Sequence, residues 1–207
     1  MKLSKPVVSI LAFPLLSLIF LVPAFGQTDI KPTAEPNFEA ILHVVAGTSE
    51  TGQDQKLPQS LSSVSKQLQN DFGVTNLKLL NTYIGRLANT GSLDYRGVSS
   101  AYAQESASEA PSFLDWKLTG LRIMQNAAGQ NVFQFQSFKF GARVPIRVAA
   151  FRDESSKSQS VVNYESIGLT LDRMSVAENS ATLVGTLSQP KTDGTLFLIL
   201  IVKGVEK

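Results

Sequence analysis

Apolar and polar residues alternate along much of this sequence, at the spacing of two that a half-buried β-strand requires. The longest regular stretch is Glu165–Lys203, which predicts a meander of three strands with turns at residues 177–179 and 191–194. Its last run, Leu196–Val202, is apolar at every position. Such a strand is covered on both faces, so we expect it in the middle of a sheet.

The alternation also predicts which side chains of the meander face the core. Val184 in the second strand is predicted to face outward, together with its polar neighbours Thr182 and Thr186. The inward positions of the first two strands are Ile167, Leu169, Leu171, Ala181, Leu183 and Leu187.

One segment has helical spacing instead. Its apolar stripe consists of Leu57, Leu61, Val64, Leu68 and Phe72. Pro58 suits the first turn of a helix, and Gly73 suits the position just past its end. Leu57–Phe72 is therefore predicted to be a helix that packs one face on a sheet, and it is the candidate to cover the second face of Leu196–Val202.

The remaining strands predict the fold class. They lie at residues 38–45, 76–87, 92–98, 113–124 and 132–147. Asn89-Thr90-Gly91 is a turn signal, so the strands at 76–87 and 92–98 are predicted to form a hairpin. One principal helix (57–72) packed on many strands predicts an α+β fold that is β-rich, with a mostly antiparallel sheet.

Two details of the β-rich half attract further interpretation. Phe133 and Phe135 occupy odd positions, whereas Phe138 and Phe140 occupy even ones, so a period of two cannot keep all four on one face. This predicts a β-bulge near Gln136-Ser137. The segments 118–124 and 169–174 also resemble each other, and we interpret them as parts of two similar hairpins.

The predicted organisation of the chain favours one α+β domain over two modules. Its divisions are a signal peptide at 1–26, an extended leader at 27–37, a strand–helix–strand–strand region at 38–98, a loop or linker at 99–111 and a β-rich region at 112–205. The element order in Phe38–Val98 is similar to that of the small ring-building domains of outer-membrane secretins. That likeness is one of element order and assigns no functional residue.

The N-terminus predicts export. Lys2 and Lys5 precede an apolar run at Val7–Val22, and Ala24-Phe25-Gly26 supplies small residues for cleavage. Cleavage after Gly26 predicts a periplasmic or extracellular protein without a transmembrane span in its mature chain. The alternative is an uncleaved anchor, for which the run is shorter than the ~20 residues of a spanning helix.

Charge and cysteine content narrow the function. The chain has 19 Lys and Arg residues against 17 Asp and Glu residues, and the counts become equal without Lys2 and Lys5. A mature net charge of about zero argues against broad electrostatic binding to nucleic acid or anionic membrane. With no cysteine in the chain, disulfides and cysteine-ligated metals are excluded, and the sequence implies no cofactor.

Candidate catalytic residues have competing structural interpretations. His43 is the single histidine, and its place inside a strand favours a hydrogen-bonded sheet residue over a catalytic base or a metal ligand. Ser63-Val64-Ser65-Lys66 matches the S-x-x-K pattern of serine acylases such as penicillin-binding proteins. The companion motifs of those enzymes are missing, so a wet, serine-rich helix face is favoured.

Lys139, Arg143 and Arg147 are the candidate binding residues, because they share the odd face of one predicted strand. Residues four apart on a strand are about 13 Å apart, so the three form a spaced basic stripe. The stripe suits an acidic partner or a polyanionic surface glycan. The competing interpretation is a charged, exposed strand with Pro145 marking a sheet edge.

Six amide residues surround a predicted turn near Trp116 and Tyr102, and they suit either a carbohydrate site or ordinary turn polarity. They are Gln125, Asn126, Gln130, Asn131, Gln134 and Gln136. The sequence as a whole favours an exported, non-enzymatic cell-envelope protein with a binding or scaffolding role. The alternative is a secreted hydrolase or glycan-binding module whose site combines dispersed carboxylates and amides.

Overall fold

The computed structural model describes residues 37–49, 56–99, 110–152, 158–188 and 194–205, and the side chains of residues 147–161 are outside that description. The chain divides into two units, Met1–Ala34 and Glu35–Lys207, and every described residue belongs to the second. The predicted signal peptide, the leader up to residue 36, most of the predicted linker and the turn at 191–193 lie outside the described residues.

The described part of the chain is built from β-strands and one α-helix, α1 (Ser62–Phe72), which follows a 3-10 turn at Gln59–Leu61. The strands are β1 (Asn37–Thr48), β2 (Asn76–Ala88), β3 (Leu93–Ser99), β4 (Ser112–Thr119), β5 (Arg122–Gln125), β6 (Asn131–Arg152), β7 (Ser158–Ala177), β8 (Thr182–Ser188) and β9 (Thr195–Gly204).

The strands form two antiparallel sheets. Sheet A has the order β2-β1-β9-β8. In sheet B, β6 pairs with β4 and β5 along one side and with β7 along the other, and β3 pairs with β4. The fold is therefore mostly antiparallel β-sheet with one short helix, which is closer to all-β than the predicted α+β class suggests.

The two sheets pack face to face around one apolar core. Alternate side chains of β1 and β9 point toward sheet B, and the same core contains Leu114, Trp116 and Leu118 of β4. Phe38 of β1 meets Phe133 of β6 with ring centroids 5.0 Å apart. Aromatic rings bury large areas, so contacts of this kind contribute strongly to the attachment of one sheet to the other.

The opposite face of sheet A carries a second apolar cluster beneath α1. Leu61, Val64 and Leu68 pack there against Phe197 and Ile199 of β9. This confirms that β9 lies inside its sheet with both faces covered, and that the helix covers the second one. The helix starts later than predicted, at Ser62, but it ends as predicted at Phe72, and Gly73 just past its end is a left-handed C-cap with a φ of 64°.

Two predicted turns connect the sheets instead of closing hairpins. The turn after β2 leads to β3 in sheet B, and the turn after β7 leads to β8 in sheet A. The hairpin of 76–87 with 92–98 and the three-strand meander are therefore wrong, although the β8–β9 pairing is confirmed. A local turn signal reverses the chain but does not decide whether the next strand pairs with the last one or faces it.

The outward position predicted for Val184 is also wrong. The register of β8 against β9 shifts between Leu183 and Gly185. The shift moves Val184 into the core between the sheets, where Leu187 also packs, and leaves Leu183 on the helix side of sheet A. A bulge exchanges the two faces of a strand, and the alternation on either side of it cannot be read as one pattern.

Sheet B contains a kink that crosses three neighbouring strands at one level. Inward residues are three apart there instead of two, as in Phe135 and Phe138 of β6. The same spacing separates Leu118 from Leu121 across β4 and β5, and Leu171 from Met174 in β7. All three strands therefore change phase together.

The kink replaces the β-bulge predicted near Gln136-Ser137, which is wrong. The pairs Thr119 with Ser137 and Arg122 with Gln134 keep one register, and so do the pairs of β6 with β7 on both sides of Gln136. The change of phase needs no extra residue in any of the three strands, because the strands turn over together and keep their register. Gly120, which lies between β4 and β5, and Arg173 of β7 are on either side of Gln136 and have φ values of 65° and 58°.

Candidate functional site

The outer face of sheet B points away from sheet A, and no other layer of the described chain covers it. Lys139 and Arg143 of β6 are both exposed on it. β6 lies inside the sheet as far as Arg143 and pairs only with β7 beyond that residue. The predicted edge at Pro145 is thus the point where the pairing with β4 ends. Arg147 is also in β6, but its side chain is not described.

The middle of this outer face carries charges of both signs, because Lys117, Lys139 and Arg143 lie there together with Asp94 and Asp115. Lys117 of β4 lies directly opposite Lys139 of β6. Lys117 Nζ is 3.4 Å from Asp94 Oδ2, whereas Lys139 has no ion-pair partner among the described residues. Like charges directly opposite on neighbouring strands destabilise a sheet. Folding alone does not favour this arrangement.

An aromatic patch lies at the end of the outer face toward the β6–β7 hairpin. The rings of Phe113 and Tyr164 are 5.7 Å apart, and Arg143 Cζ is 5.2 Å from the centre of the Phe113 ring. Val98, which pairs with Phe113, is 65% exposed. The patch therefore offers exposed aromatic and apolar surface beside a guanidinium group.

The kink forms a cleft at the other end of the outer face, and we call it the kink cleft. It has a volume of about 520 Å³. Arg122 and Arg173 line it from the two strands that flank β6, and Gln134 and Gln136 lie between them. The described lining residues include no carboxylate, so the cleft is electropositive and rich in hydrogen-bond donors.

A smaller depression of about 330 Å³ adjoins the cleft at Gln136. Lys117, Lys139 and Asp172 line it together with Thr119 and Ser137. The Ser137 hydroxyl oxygen is buried and has no hydrogen-bond partner among the described residues.

The six amide residues fall into groups with different roles. The Asn126 Oδ1 atom accepts the Gln130 backbone N–H at 2.9 Å, and Asn131 Nδ2 donates to Glu178 Oε2 at 2.8 Å. These amides hold the turn and its neighbours, as the structural interpretation predicts. Gln134 and Gln136 instead line the kink cleft. Trp116 is fully buried, so its ring offers no surface to a carbohydrate, and Tyr102 lies outside the described residues.

His43 is a hydrogen-bonded sheet histidine, as predicted. It is buried in β1, and its Nδ1 atom lies 2.9 Å from Thr82 Oγ1 of the paired strand β2. Burial lowers the pKa of His43 below its ordinary value of 6.5, because the imidazolium form loses hydration. His43 is not among the described residues that line the kink cleft or the adjoining depression.

Ser63 and Lys66 are exposed on α1, and Ser65 Oγ donates to the Ser62 carbonyl at 2.9 Å. A third depression, of about 620 Å³, lies beside this helix and includes Lys56, Gln59 and Ser62. Groups of three or more His, Asp or Glu side chains able to hold a metal ion do not occur among the described residues. In the same part of the chain, no helix has the length and apolar character needed to cross a bilayer.

Arg122 and Arg173 were not singled out from the sequence. The signal that could have found them is the likeness of segments 118–124 and 169–174, which each carry one of these arginines. Both segments contain the kink on either side of β6. The first leads into the hairpin of β5 with β6, as predicted, whereas the second leads to β8 in the other sheet, so the two are not similar hairpins. Both arginines line the kink cleft.

Neither family models nor curated proteins match this chain. Among solved structures, it is similar to the secretin InvG of the Salmonella SPI-1 type III secretion injectisome, with a TM-score of 0.35 and 12% identity over 84% of this chain. The chain spans 66% of that InvG chain. A basal-body structure of InvG with PrgH and PrgK is similar at the same TM-score and identity, and there the chain spans 47% of the matched chain.

Proposed function

We propose that this is an exported cell-envelope protein with a binding or scaffolding role, and that the outer face of sheet B holds an acidic partner. The observation that carries the proposal is the cluster of Lys117, Lys139 and Arg143 on a face that no described layer covers. The repulsion between the opposing Lys117 and Lys139 is unfavourable for folding, and a partner with negative charge would relieve it.

The position of the charges supports a local site more than a general attraction. The mature chain is predicted to have equal numbers of basic and acidic residues, so long-range attraction to anions is weak. Lys139 and Arg143 are four residues apart on one strand, and Arg147 continues the predicted stripe by the same interval. A partner that meets this stripe needs acidic groups at matching intervals of about 13 Å.

The aromatic patch supports a binding role for the same face. Rings of Phe113 and Tyr164 beside Arg143 combine apolar area with a cation, and aromatic residues and arginine are enriched where proteins bind partners. The predicted signal peptide supports an envelope location. The function proposed here is recognition, and the binding residues are Lys139, Arg143 and Arg147.

The proposal is tested by recovering the tagged protein from intact envelope after crosslinking. The double variant Lys139→Glu, Arg143→Glu is expected to lose the partners that the unchanged protein retains, because it reverses two charges on the outer face. The matched control is Lys78→Glu, Arg86→Glu, which reverses two exposed charges on β2 of sheet A. Retention of every partner by the outer-face variant would contradict the proposal.

A further inference from the structure

We infer that the kink cleft binds the anionic groups of an acidic polysaccharide, with Arg122 and Arg173 as the binding residues. This inference rests on the proposed function, because it names the ligand class for the outer face of sheet B. The two arginines come from β5 and β7, the strands that flank β6, and they line a single cleft of about 520 Å³. Neither has an ion-pair partner among the described residues.

The backbone at Arg173 is an independent reason to assign the cleft a function. Its φ of 58° lies in the left-handed region, which is unfavourable for a residue with a Cβ. Glycine or asparagine would adopt this conformation more easily. Arginine does not make this backbone conformation easier to adopt, but it places a guanidinium group in the cleft. Residues with strained backbones cluster at functional sites.

The chemistry of the lining indicates an anion with neighbouring hydroxyl groups. A guanidinium binds a carboxylate or a phosphate through two parallel hydrogen bonds. Gln134, Gln136 and Thr90 add amide and hydroxyl groups that can donate to and accept from sugar hydroxyls. Carboxylate-bearing and phosphate-bearing polysaccharides both supply this combination.

A polysaccharide fits the cleft better than an acidic protein does. The apolar lining residues Leu121 and Phe135 are 1% and 0% exposed, so they offer almost no surface to a partner. Protein interfaces depend on buried apolar and aromatic anchors, and the cleft has no accessible residue of that kind among those described. Its accessible groups are cations, amides and hydroxyls.

The adjoining depression extends the site to a second anionic group. Lys117 and Lys139 line it, together with the carboxylate of Asp172. Lys117 and Arg122 are five residues apart along one edge of β6, which corresponds to about 16 Å. A polymer with recurring negative charges can therefore engage both pairs of cations, whereas a single small anion can engage only one.

The test measures binding of the purified full-length protein to four polymers by titration calorimetry at low salt. Polygalacturonate carries carboxylates, a phosphomannan carries phosphates, dextran is neutral, and poly-L-glutamate stands for an acidic protein. We expect binding to one or both of the first two and none to the others. Comparing the affinities for the two anionic polymers shows whether the arginines bind carboxylates or phosphates.

Arg173→Asn is the decisive variant, because asparagine tolerates positive φ and removes the guanidinium. It is expected to weaken binding about tenfold or more, as the loss of a charged hydrogen bond does, while the melting temperature stays equal or rises. Arg86→Asn removes an exposed arginine from β2, outside the cleft, and should bind like the unchanged protein.

The outcomes separate this inference from the proposed function. Unchanged binding by Arg173→Asn, absence of binding to both anionic polysaccharides, or equal affinity for poly-L-glutamate would each overturn it. If the Lys139→Glu, Arg143→Glu protein still loses its envelope partners in any of those cases, the proposed function stands and the ligand class is wrong. If that variant also keeps its partners, both proposals fail.

Discussion

His43 illustrates how neighbours decide the chemistry of a single residue. From sequence, a lone histidine is compatible with a base, a metal ligand or a structural residue. In the fold, His43 lies in β1, between β2 and β9, on the side of sheet A that faces the helix. Its Nδ1 atom is hydrogen-bonded to Thr82 Oγ1. The burial that lowers the pKa of His43 also gives it a measurable effect on stability.

The stability of the protein is expected to decrease as the pH falls below about 6.5, in part because of His43. The unfolded chain takes up a proton there, whereas the folded protein resists it until the pH reaches the lowered pKa of His43. The measurement is the urea midpoint at pH 7.5 and pH 5. His43→Gln should show a smaller decrease than the unchanged protein, and an equal decrease would contradict the assignment.

At the scale of elements, the kink in sheet B is the feature that builds the candidate site. It depends on Gly120, which has φ 65° and whose added Cβ would lie 2.6 Å from the Gln136 Cβ. Gly129 has φ 74° in the turn before β6, but an added Cβ there has no neighbour within 4 Å. Both glycines therefore have a left-handed backbone, but only at Gly120 would an added Cβ meet a close neighbour.

Gly120→Ala is expected to destabilise the protein by clearly more than Gly129→Ala does. Both variants carry the cost of a left-handed alanine, about 1–2 kcal/mol, and only the first also displaces Gln136 in the kink. Urea denaturation of the two variants gives the difference directly. Equal losses of unfolding free energy would show that the approach of Gly120 to Gln136 has no structural role.

Element positions were well predicted from local patterns, and their partners were not. The spacing of Leu61, Val64 and Leu68 was enough to identify the helix, since a stripe of that period has one way to be buried. The spacing of Phe135 and Phe138 correctly showed a change of phase. It could not show that two other strands change phase at the same level, because strand pairing is a long-range property.

At the scale of the whole molecule, the described part of the chain forms three layers, α1, sheet A and sheet B, and none of these layers covers the outer face of sheet B. The sequence indicated that β9 is covered on both faces, because every residue from Leu196 to Val202 is apolar. It did not indicate a second sheet, since the turns at residues 89–91 and 177–179 look like hairpin turns. Whether such a turn closes a hairpin or crosses between sheets depends on packing that no short segment contains.

This layering predicts an order of hydrogen exchange. Amides of β9 pair with β1 and β8 and lie between two apolar clusters, so they should exchange only on global unfolding. Among the described strands, β7 pairs only with β6, so alternate amides along its other edge have no partner strand there and should exchange through local opening. Exchange measured by mass spectrometry or NMR should separate β9 from the free edge of β7 by several powers of ten, since opening free energies range from about 0 to the full stability. Comparable rates in the two strands would mean that sheet A is not the stable centre of the fold.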